Sequence, residues 1–389
     1  MAQGFDFIIV GGGMAGASVA AELAVDARVL VLEGESQPGY HATGRSAAAF
    51  IPSYCADIEP LVKLTQASKD FLVSDGNGNS ETPLLHRRGL LTLFDDKPSV
   101  EAEAVFDLLK SRLASPLDRV SPEQIRALLP LLRADWSEYG WYEPEVFDID
   151  VHGLHQLYLK RLKAAGGTLV CNAVVHAAGY EHGCWTLTTA TDTYQAPVII
   201  NAAGAWADGL AALCGVKPLG LTPLRRTAVL IRPPVDVGTE SWPLVLAYDG
   251  SFYFKPDAGL ILASPADEHP SEACDAQPEE IDVAYAVHFA EQALSLEVSK
   301  VEHRWAGLRT FASDRIPVIG FDVESTGFFW LAGQGGHGIQ IAPATARLAA
   351  ALASGNSVPE DLVASGFDPH SVSPGRFQTT EPESKSAHG

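Results

Sequence analysis

The sequence FDFIIVGGGMAG, residues 5–16, decides the predicted fold of this chain. Residues 5–10 are mainly apolar and partly β-branched, as in a short buried strand. Gly11, Gly13 and Gly16 then fit the pattern G-x-G-x-x-G, an alanine-rich helix is predicted over residues 15–24, and a second strand over 28–32 ends at Glu33. Strand, glycine turn, helix, strand and acidic residue in this order predict a dinucleotide-binding unit of the Rossmann type.

Each residue type in this unit has a mechanical reason. Gly11 permits the tight turn, Gly13 lets a pyrophosphate approach the backbone, and Gly16 lets the helix pack closely on the strand. The helix N-terminus offers N–H groups and a positive dipole end to the phosphates. Glu33 is expected to bind both ribose hydroxyls of an adenosine, which disfavours NADP but leaves FAD and NAD open. The same ligand is expected to contact Met14, Ala15 and Gly34.

Composition excludes several classes of function. The chain has 389 residues, which predicts about two domains. Its 48 acidic and 27 basic residues give a net charge of −21, which disfavours nucleic-acid and anionic-membrane partners. No apolar run is long enough to predict an integral membrane span. Small anions remain compatible with a local cluster of arginines.

Cysteine usage indicates a reducing compartment. The five cysteines are an odd number and include no C-x-x-C pair, so we expect neither a disulfide framework nor a zinc site, and no metal site of another kind is predicted. The apolar N-terminal stretch lacks a basic leader segment and is interrupted by glycines, so we expect a cytoplasmic protein.

Three predicted strands end in glycine-bearing turns, near residues 11, 204 and 335. Because ligands collect at the carboxyl ends of strands in α/β sheets, we expect one nucleotide-binding domain built from residues 1–50, 150–220 and 310–365. Residues 51–149 and 221–309 would form a second domain with a mixed sheet, which makes the fold α/β in its first domain and α+β overall. Ser121 is expected to open a capping box and Asp150 to cap a helix, and residues 370–389 are expected to form a disordered tail.

Several longer stretches resemble one known family. They are TGRSAA (43–48), NAAGAW (201–206), PLGL (218–221), SFY (251–253), KPDAG (255–259), WAGLR (305–309) and QGGHGIQ (334–340). Over residues 5 to about 377 the chain resembles the D-amino-acid oxidase superfamily of FAD enzymes and, within it, the bacterial D-arginine dehydrogenases. The resemblance implies a Rossmann-like FAD-binding domain interleaved with a mixed-sheet substrate domain, as in glycine and sarcosine oxidases. It also implies non-covalent FAD, since no cysteine lies near Gly335, where some sarcosine oxidases tether the flavin.

The resemblance assigns roles to substrate-binding residues. Arg226 and Arg309 would hold a substrate carboxylate, and Tyr54 and Tyr253 would flank the substrate. Gly307 and Gln340 would place a carbonyl and a side chain near the substrate amine or the flavin. Judged by residue type alone, Arg309 lies in an apolar strand where an unpaired arginine is costly, whereas Arg226, beside Arg225, fits a surface ion pair equally well.

The resemblance also implies a set of cofactor contacts. The Gly335–Gly338 turn would direct N–H groups at the flavin pyrimidine oxygen, where charge develops on reduction. The remaining cofactor contacts would come from Thr43, Gly44, Arg45, Ser46, Ala47, Ala48, Val174, Ala203, Gly204, Trp206, Gly307, Arg309, Gly336, His337, Ile339 and Gln340.

Departures from the family pattern bear on the substrate. Leu90 stands where D-arginine dehydrogenases have the glutamate that takes the substrate guanidinium, and Ala49 and Ile51 replace a histidine and a threonine. With His337, these residues are expected around the substrate pocket. A cationic side chain facing them would lose hydration without gaining a partner. We therefore expect D-amino acids with apolar or aromatic side chains to be better substrates than D-arginine.

The implied reaction is oxidative deamination. A hydride would pass from the substrate Cα to flavin N5, and the imino acid would hydrolyse to a 2-keto acid and ammonia. His41, His86 and His337 are more consistent with structural or tuning roles than with an obligatory base. Ile261 replaces the oxygen-activating lysine of sarcosine oxidase, which favours a dehydrogenase that passes electrons to a quinone or another carrier.

Three alternatives remain open. They are a flavin oxidase of glycine, sarcosine or other secondary amines, an L-2-hydroxyacid dehydrogenase, and a flavoprotein without enzymatic activity. The D-stereochemistry comes from the resemblance and not from the residues.

Overall fold

The computed structural model describes residues 3–54, 56–136 and 138–377. In chain order, the strands are β1 Gln3–Gly4, β2 Phe7–Val10, β3 Val29–Leu32, β4 Ala49–Phe50, β5 Leu85–Arg87, β6 Leu90–Phe94, β7 Asp118–Val120, β8 Tyr139–Glu143, β9 Phe147–Ile149, β10 Thr168–Val170, β11 Ala177–Glu181, β12 Cys184–Thr188, β13 Thr193–Ala196, β14 Val198–Asn201, β15 Thr222–Ile231, β16 Leu244–Ala247, β17 Tyr253–Asp257, β18 Leu260–Ser264, β19 His269–Pro270, β20 Val301–Phe311, β21 Val318–Phe321 and β22 Phe328–Ala332. The α-helices are α1 Met14–Leu23, α2 Glu59–Val73, α3 Asp75–Gly78, α4 Val100–Arg112, α5 Pro122–Leu128, α6 Val151–Ala164, α7 Ala207–Leu213, α8 Glu280–Ala293, α9 Ala342–Ala353 and α10 Glu360–Ala364.

A six-stranded sheet carries the predicted nucleotide unit. Its order is β10-β3-β2-β14-β22-β21, and all neighbours run parallel except β21 and β22. The strands β2, β14 and β22 are adjacent and parallel, so the glycine-bearing turns that follow them meet at one edge of the sheet. This arrangement confirms the predicted mixed α/β fold class.

Both faces of this sheet are covered. On one face Ile9, Ile200 and Phe329 pack in a cluster with residues of α1 and α9, and on the other Ile8, Ile199 and Phe328 form a second cluster. Strands buried on both faces are uniformly apolar, which explains why residues 28–32 and 328–332 carry little alternation. The sheet therefore presents its strand ends, not its faces, to a ligand.

A nine-stranded sheet forms the second half of the molecule. The order β19-β15-β18-β17-β16-β6-β8-β7 has β20 paired to β15 in addition. The neighbours β6 and β16 run parallel, and the other pairs in this sheet are antiparallel. Its strands come from residues 90–143 and 222–311, so the chain passes between the two large sheets more than once. Smaller sheets have the orders β4-β9-β5 and β1-β13-β12-β11.

Local signals in the sequence agree with several helix ends. Ser121 accepts a hydrogen bond from the Gln124 backbone while the Gln124 side chain bonds the Ser121 backbone, which is the predicted capping box. Asp150 caps α6 through the Gly153 N–H at 2.8 Å. The helix predicted from residue 339 begins at Ala342 instead, because residues 335–341 form turns that precede Pro343 in the first helical turn.

The described structure extends into the predicted C-terminal tail. Residues Pro369–Val372 and Pro374–Phe377 form 3₁₀ turns, Val372 is buried, and Arg376 pairs with Asp314 at 2.7 Å. The prediction of disorder from residue 370 is therefore wrong for residues 370–377, since a buried apolar side chain and an ion pair hold them against the fold. Residues 378–389 lie outside the described part of the chain. Among the described residues, no helix combines the length and apolar content needed to cross a membrane.

Candidate active site

One cavity of about 1100 Å³ connects the strand ends of the six-stranded sheet to the nine-stranded sheet. Of the residues predicted to lie at the site, its lining includes Gly11, Gly13, Met14, Ala15, Glu33, Gly34, Thr43, Arg45, Ser46, Ala47, Ala48, Ala49, Ile51, Tyr54, Leu90, Val174, Ala203, Gly204, Trp206, Arg226, Tyr253, Gly307, Arg309, Gly335, Gly336, Gly338, Ile339 and Gln340. Gly16, Gly44 and His337 are absent from this lining. The fold thus brings together segments from opposite ends of the chain, from Gly11 to Gln340.

The glycine turn after β2 is packed too tightly for side chains. Gly11 has a φ of +106°, which disfavours any other residue. A Cβ at Gly16 would overlap the Gly11 carbonyl oxygen, so Gly16 serves close helix packing behind the cavity. A Cβ at Gly44 would lie 2.7 Å from the Gly39 carbonyl oxygen, so Gly44 has a similar structural role.

Glu33 lies at the end of β3 with its carboxylate held in place. One oxygen accepts the Gly12 N–H at 2.7 Å and the other accepts the Glu35 N–H at 2.8 Å. A carboxylate oxygen can accept more than one hydrogen bond, so both remain able to receive ribose hydroxyls. His155, which the sequence did not single out, supports the same turn through its Nε2 and the Gly12 carbonyl oxygen at 2.9 Å.

The cavity wall fits an extended dinucleotide. A fixed carboxylate stands at one end, the N-terminus of α1 lies next to it, and the Gly335–Gly338 turn stands at the other end. A Cβ at Gly336 would lie 2.9 Å from Arg309 Nη1 and 3.2 Å from the Tyr54 hydroxyl, so a side chain there would fill the space beside both groups. These residues are compatible with FAD, and Glu33 and Gly336 are among those that would hold it.

The pairing of β15 with β20 brings the two predicted arginines together. Arg226 pairs with Gly307, and Leu224 pairs with Arg309, so the two guanidinium groups occupy one face of the sheet at diagonal positions. Arg225 points to the opposite face, where it pairs with Glu279 at 2.6 Å and Asp282 at 3.3 Å. Strand alternation thereby separates a structural arginine from a cavity-lining one at adjacent positions.

A glutamate that the sequence did not single out binds both cavity arginines. Glu268 Oε1 accepts from Arg309 Nη2 at 2.6 Å and lies 3.4 Å from Arg226 Nη2. Arg315 donates to both oxygens of the same carboxylate, at 3.0 and 3.1 Å. Glu268 also lines the cavity. No local sequence pattern marks it, because it follows the end of β18 in a loop and meets its partners only after folding.

His337 lies behind Tyr54 and outside the cavity lining. The two rings are 4.7 Å apart and inclined at 31°. Burial, together with the smaller effect of the Arg309 and Arg315 charges, lowers the pKa of His337 to about 4. Within the described residues, neither ring nitrogen has a hydrogen-bond partner. A neutral, buried imidazole stacked on Tyr54 supports that ring and is not placed to transfer a proton.

The side chain of Gln340 has partners other than those expected. Its Oε1 accepts the Ile51 N–H at 3.1 Å, and its Nε2 donates to Thr65 Oγ1 at 3.0 Å. Because Gln340 also lines the cavity, the expectation that this side chain lies near a substrate amine or the flavin stays a prediction. Gln340 joins the start of α9 to the segment that carries Ile51 and Tyr54.

Apolar residues form the part of the cavity wall that includes Leu90. Leu90 packs in a cluster with Val146 and Leu244, and the partly buried side chains packed against this cluster are Ala49, Ile51, Leu246 and Tyr253. Leu244 and Leu246 on β16 were not identified from the sequence, because residues 244–247 look like any other apolar strand. Only the parallel pairing of β16 with β6 places them beside Leu90.

A buried carboxyl group lies next to this apolar cluster. Glu143 pairs with Leu90 across β8 and β6, and only 1% of it is exposed. Burial raises the pKa of Glu143 to about 7, and hydrogen-bonding groups of Ser53 offset part of that rise. Yet neither carboxyl oxygen makes a hydrogen bond of normal geometry within the described residues. Glu143 does not line the cavity.

His41, His86 and Arg45 do not contact the paired arginines Arg226 and Arg309 through any hydrogen bond or ring contact found among the described residues. His41 bonds Glu35 at 2.8 Å and packs on Trp206, which places it toward Glu33 and not toward the arginines. His86 is exposed on β5. Arg45 binds Asp275 and the Ala276 and Ala306 carbonyl oxygens.

Ile261 does not occupy the place assumed for it. It is fully buried in the core of the nine-stranded sheet and does not line the cavity. The comparison with an oxygen-activating lysine therefore carries no weight for the electron acceptor.

Comparison with known proteins agrees with this geometry. The chain matches the family model described as "DAO: FAD dependent oxidoreductase" over residues 6–352. It is 25% identical over 372 aligned residues to glycine oxidase from Geobacillus kaustophilus (strain HTA426), covering 93% of this chain and 96% of that protein. The crystal structure of glycine oxidase from Geobacillus kaustophilus superimposes with a TM-score of 0.79 at 24% identity, covering 95% of this chain and 99% of the other.

L-amino acid deaminase from Proteus vulgaris has the same fold, with a TM-score of 0.81 at 15% identity, covering 97% of this chain and 98% of the other. The named relatives include glycine oxidases, so the narrower resemblance to D-arginine dehydrogenase is not supported by them. A FAD cofactor and oxidation of an amine or amino acid are typical of the matched family. The chain belongs to the DAO family of FAD-dependent oxidoreductases.

Proposed function

We propose that this enzyme oxidises α-amino acids with apolar side chains, D-amino acids in the first instance, to 2-keto acids and ammonia. The observation that carries the proposal is the pair of arginines on one sheet face beside an apolar pocket. Arg226 and Arg309 supply positive charge at the cavity wall, and the cluster around Leu90 and Leu244 supplies a site for a side chain.

The arginines have N–H groups available for a carboxylate. Within the described residues Arg309 bonds Glu268 through Nη2 alone, while its Nε is buried without a partner and its Nη1 lies close to Gly336. Arg226 uses Nε for the Asp267 carbonyl oxygen at 2.8 Å and Nη2 for Glu268. Because a guanidinium offers donors in a rigid fork, the free edges of the two groups suit one substrate carboxylate.

The pocket beside the arginines favours an apolar substrate side chain. Leu90 and Leu244 are nearly fully buried, and Ile51 and Leu246 cover the same cluster. The carboxyl group of Glu143 lies behind this lining and so is not available to pair with a cationic side chain. A guanidinium or ammonium group placed here would lose its hydration without a partner, which disfavours D-arginine and D-lysine.

When bound, FAD would supply the hydride acceptor for this oxidation. The residues of this chain would orient the substrate by its carboxylate and place its Cα–H bond at a fixed position. The Cα–H bond breaks with its electron pair leaving as hydride, and the lone pair of the neutral amine forms the C=N bond. Water then adds to the imino acid and ammonia leaves. Tyr54 and Tyr253 would cover the site from water, and Tyr253 lies under Arg226 with its ring 5.8 Å from the guanidinium carbon.

A second candidate is oxidation of glycine, sarcosine or another small secondary amine. It is favoured by the glycine oxidases among the relatives, which align over nearly the whole chain. The arginine pair would serve these substrates equally well, because they carry the same carboxylate. The two candidates differ in their use of the apolar pocket, which glycine leaves unfilled.

Anaerobic reduction of the bound flavin distinguishes the candidates. The purified enzyme is mixed with D-leucine, L-leucine, D-arginine, glycine or sarcosine, and the loss of flavin absorbance is followed. We expect the fastest reduction with D-leucine and slow reduction with D-arginine. Faster reduction by glycine or sarcosine would establish the second candidate, and no reduction by any of them would refute both. Parallel assays with oxygen and with a quinone or dye identify the electron acceptor.

A further inference from the structure

Three arginines meet at one carboxylate beside the cavity. Glu268 binds Arg309 at 2.6 Å, Arg315 at 3.0 Å and Arg226 at 3.4 Å through the single oxygen Oε1. Without that carboxylate, the like charges of three guanidinium groups would repel one another over short distances. Although burial opposes its ionisation, a hydrogen bond from Arg315 and the charges of the arginines hold the pKa of Glu268 below its usual value. The carboxylate is therefore charged under ordinary assay conditions.

The backbone holds Glu268 in this place. Its neighbour Asp267 accepts the Thr227 N–H at 2.7 Å and the Thr227 hydroxyl at 3.0 Å, which ties the loop to β15. Ala266, just before, has a φ of +51°, a conformation that costs free energy for a residue with a Cβ. The chain thus accepts local strain where it turns Glu268 toward the cavity.

The contacts of Glu268 leave one side of each cavity arginine open. It takes Nη2 of both Arg226 and Arg309, and it leaves Nη1 of Arg309 close to Gly336. We propose that Glu268 is a positioning residue for the substrate carboxylate. From the cavity wall, Glu268 binds Nη2 of Arg226 and of Arg309 and so fixes both guanidinium groups with their remaining N–H groups directed at the cavity. This inference rests on the proposed function, because it concerns the same carboxylate site.

The same contacts would also suit Glu268 as a competitor of the substrate carboxylate. A carboxylate that pairs with both arginines also competes with a substrate carboxylate, so its removal could strengthen substrate binding. The two roles predict opposite signs for the change in affinity. The geometry favours positioning, because contacts that do not involve Arg226 or Arg309 also hold this loop: Asp267 binds Thr227, and Arg315 binds both oxygens of Glu268.

Equilibrium binding of a non-reacting ligand tests the inference. Isovalerate carries a carboxylate and a branched apolar chain but no amine, and isovaleramide is its uncharged counterpart. Each is titrated into the FAD-loaded enzyme while the flavin absorbance is recorded. We expect Glu268→Gln to weaken isovalerate binding on the order of ten-fold, with little change for isovaleramide, because a misaligned arginine pair affects the charged ligand alone. Glu268→Asp keeps the charge but shortens the reach, and we expect intermediate weakening.

The matched control is Glu302→Gln. Glu302 lies on β20 and pairs at 3.1 Å with Arg232, which follows the end of β15. Glu302 does not line the cavity, so its replacement should leave both dissociation constants unchanged. Unchanged or tighter isovalerate binding in Glu268→Gln would overturn the inference, as would equal weakening of both ligands, which indicates general damage to the pocket.

Failure of the proposed function gives a different result. If the wild-type enzyme binds isovalerate but is reduced by no amino acid, the proposed function fails while the ratio between variants still decides the role of Glu268. If the wild-type enzyme does not bind isovalerate, no carboxylate site exists there and the inference falls with it.

Discussion

Replacement of Arg309 by methionine tests the carboxylate site most directly. Methionine has similar length and lacks the charge. The Arg309 side chain is only 17% exposed, and its one ion pair with another described residue is to Glu268. That carboxylate would keep Arg226 and Arg315 as partners, so the replacement leaves no buried charge without a partner and we expect the fold to persist. The substrate carboxylate, by contrast, would lose a charged hydrogen bond.

The magnitude follows from the value of such a bond. Hydrogen bonds to charged groups contribute about 1.5–3 kcal/mol, which corresponds to a rise in KM of roughly 10- to 150-fold. We expect kcat at saturation to change less, because the flavin and the apolar pocket are untouched. Steady-state kinetics with D-leucine, together with the flavin-to-protein absorbance ratio, measure both effects.

The control variant is Arg304→Met on the same strand. Arg304 is exposed, pairs with Glu280 at 2.7 Å and does not line the cavity, so its KM should match the wild type. A KM for Arg309→Met within about three-fold of the wild-type value, with full FAD content, would refute the carboxylate role.

Three further predictions concern other parts of the site. Leu90→Glu should raise the ratio of kcat/KM for D-arginine over D-leucine about ten-fold or more. In that variant the introduced carboxylate faces the carboxylate of Glu143 and is repelled by it, so adding Glu143→Gln should raise the ratio further. An unchanged ratio would show that Leu90 does not face the substrate side chain. The pKa of Glu143 is raised from 4.5 to about 7, so the folded protein keeps a proton that the unfolded chain releases. The free energy of unfolding of the wild type should therefore fall by roughly 3 kcal/mol at most between about pH 4.5 and pH 8, and Glu143→Gln should remove this fall in urea unfolding curves. Parallel pH profiles for the two proteins would contradict the prediction. Glu33→Ala should weaken FAD binding about ten-fold or more, because two backbone N–H groups lose their acceptor and the ribose loses a hydrogen-bond partner. Ultrafiltration separates bound from free flavin and measures the dissociation constant, and a smaller change would contradict the prediction.

Local sequence patterns determined the nucleotide half of this protein. The strand, glycine turn, helix and acidic residue within residues 5–33 are contiguous, so their hydrogen bonds and steric needs are visible in the sequence itself. Gly11 must adopt a positive φ and Gly16 must admit the helix, and no distant residue changes these requirements. The capping box at Ser121 and the cap at Asp150 were predictable for the same reason.

Residue identities in the matching stretches, read through the family resemblance, supplied most of the substrate-site candidates. They did not supply the side-chain surroundings of Gln340, His337 and Ile261. The side-chain amide of Gln340 forms hydrogen bonds with Ile51 and Thr65, and the His337 ring packs against Tyr54. Ile261 lies in the core of the nine-stranded sheet. Each of these orientations depends on which residues of distant segments pack nearby.

Tertiary structure alone decided the arrangement of charge at the substrate site. Arg225 and Arg226 are equivalent in the sequence, and only the alternation of β15 against β20 sends one to an outer ion pair and the other to the cavity. Glu268 joins Arg226 and Arg309 across some 40 residues of chain in each direction, through contacts that no local pattern encodes. The sequence by itself determined the turn that is expected to hold a dinucleotide, because that turn is built by neighbours in the chain. The proposed carboxylate site depends on the tertiary structure, because only strand pairing brings Arg226 and Arg309 to the shared carboxylate of Glu268.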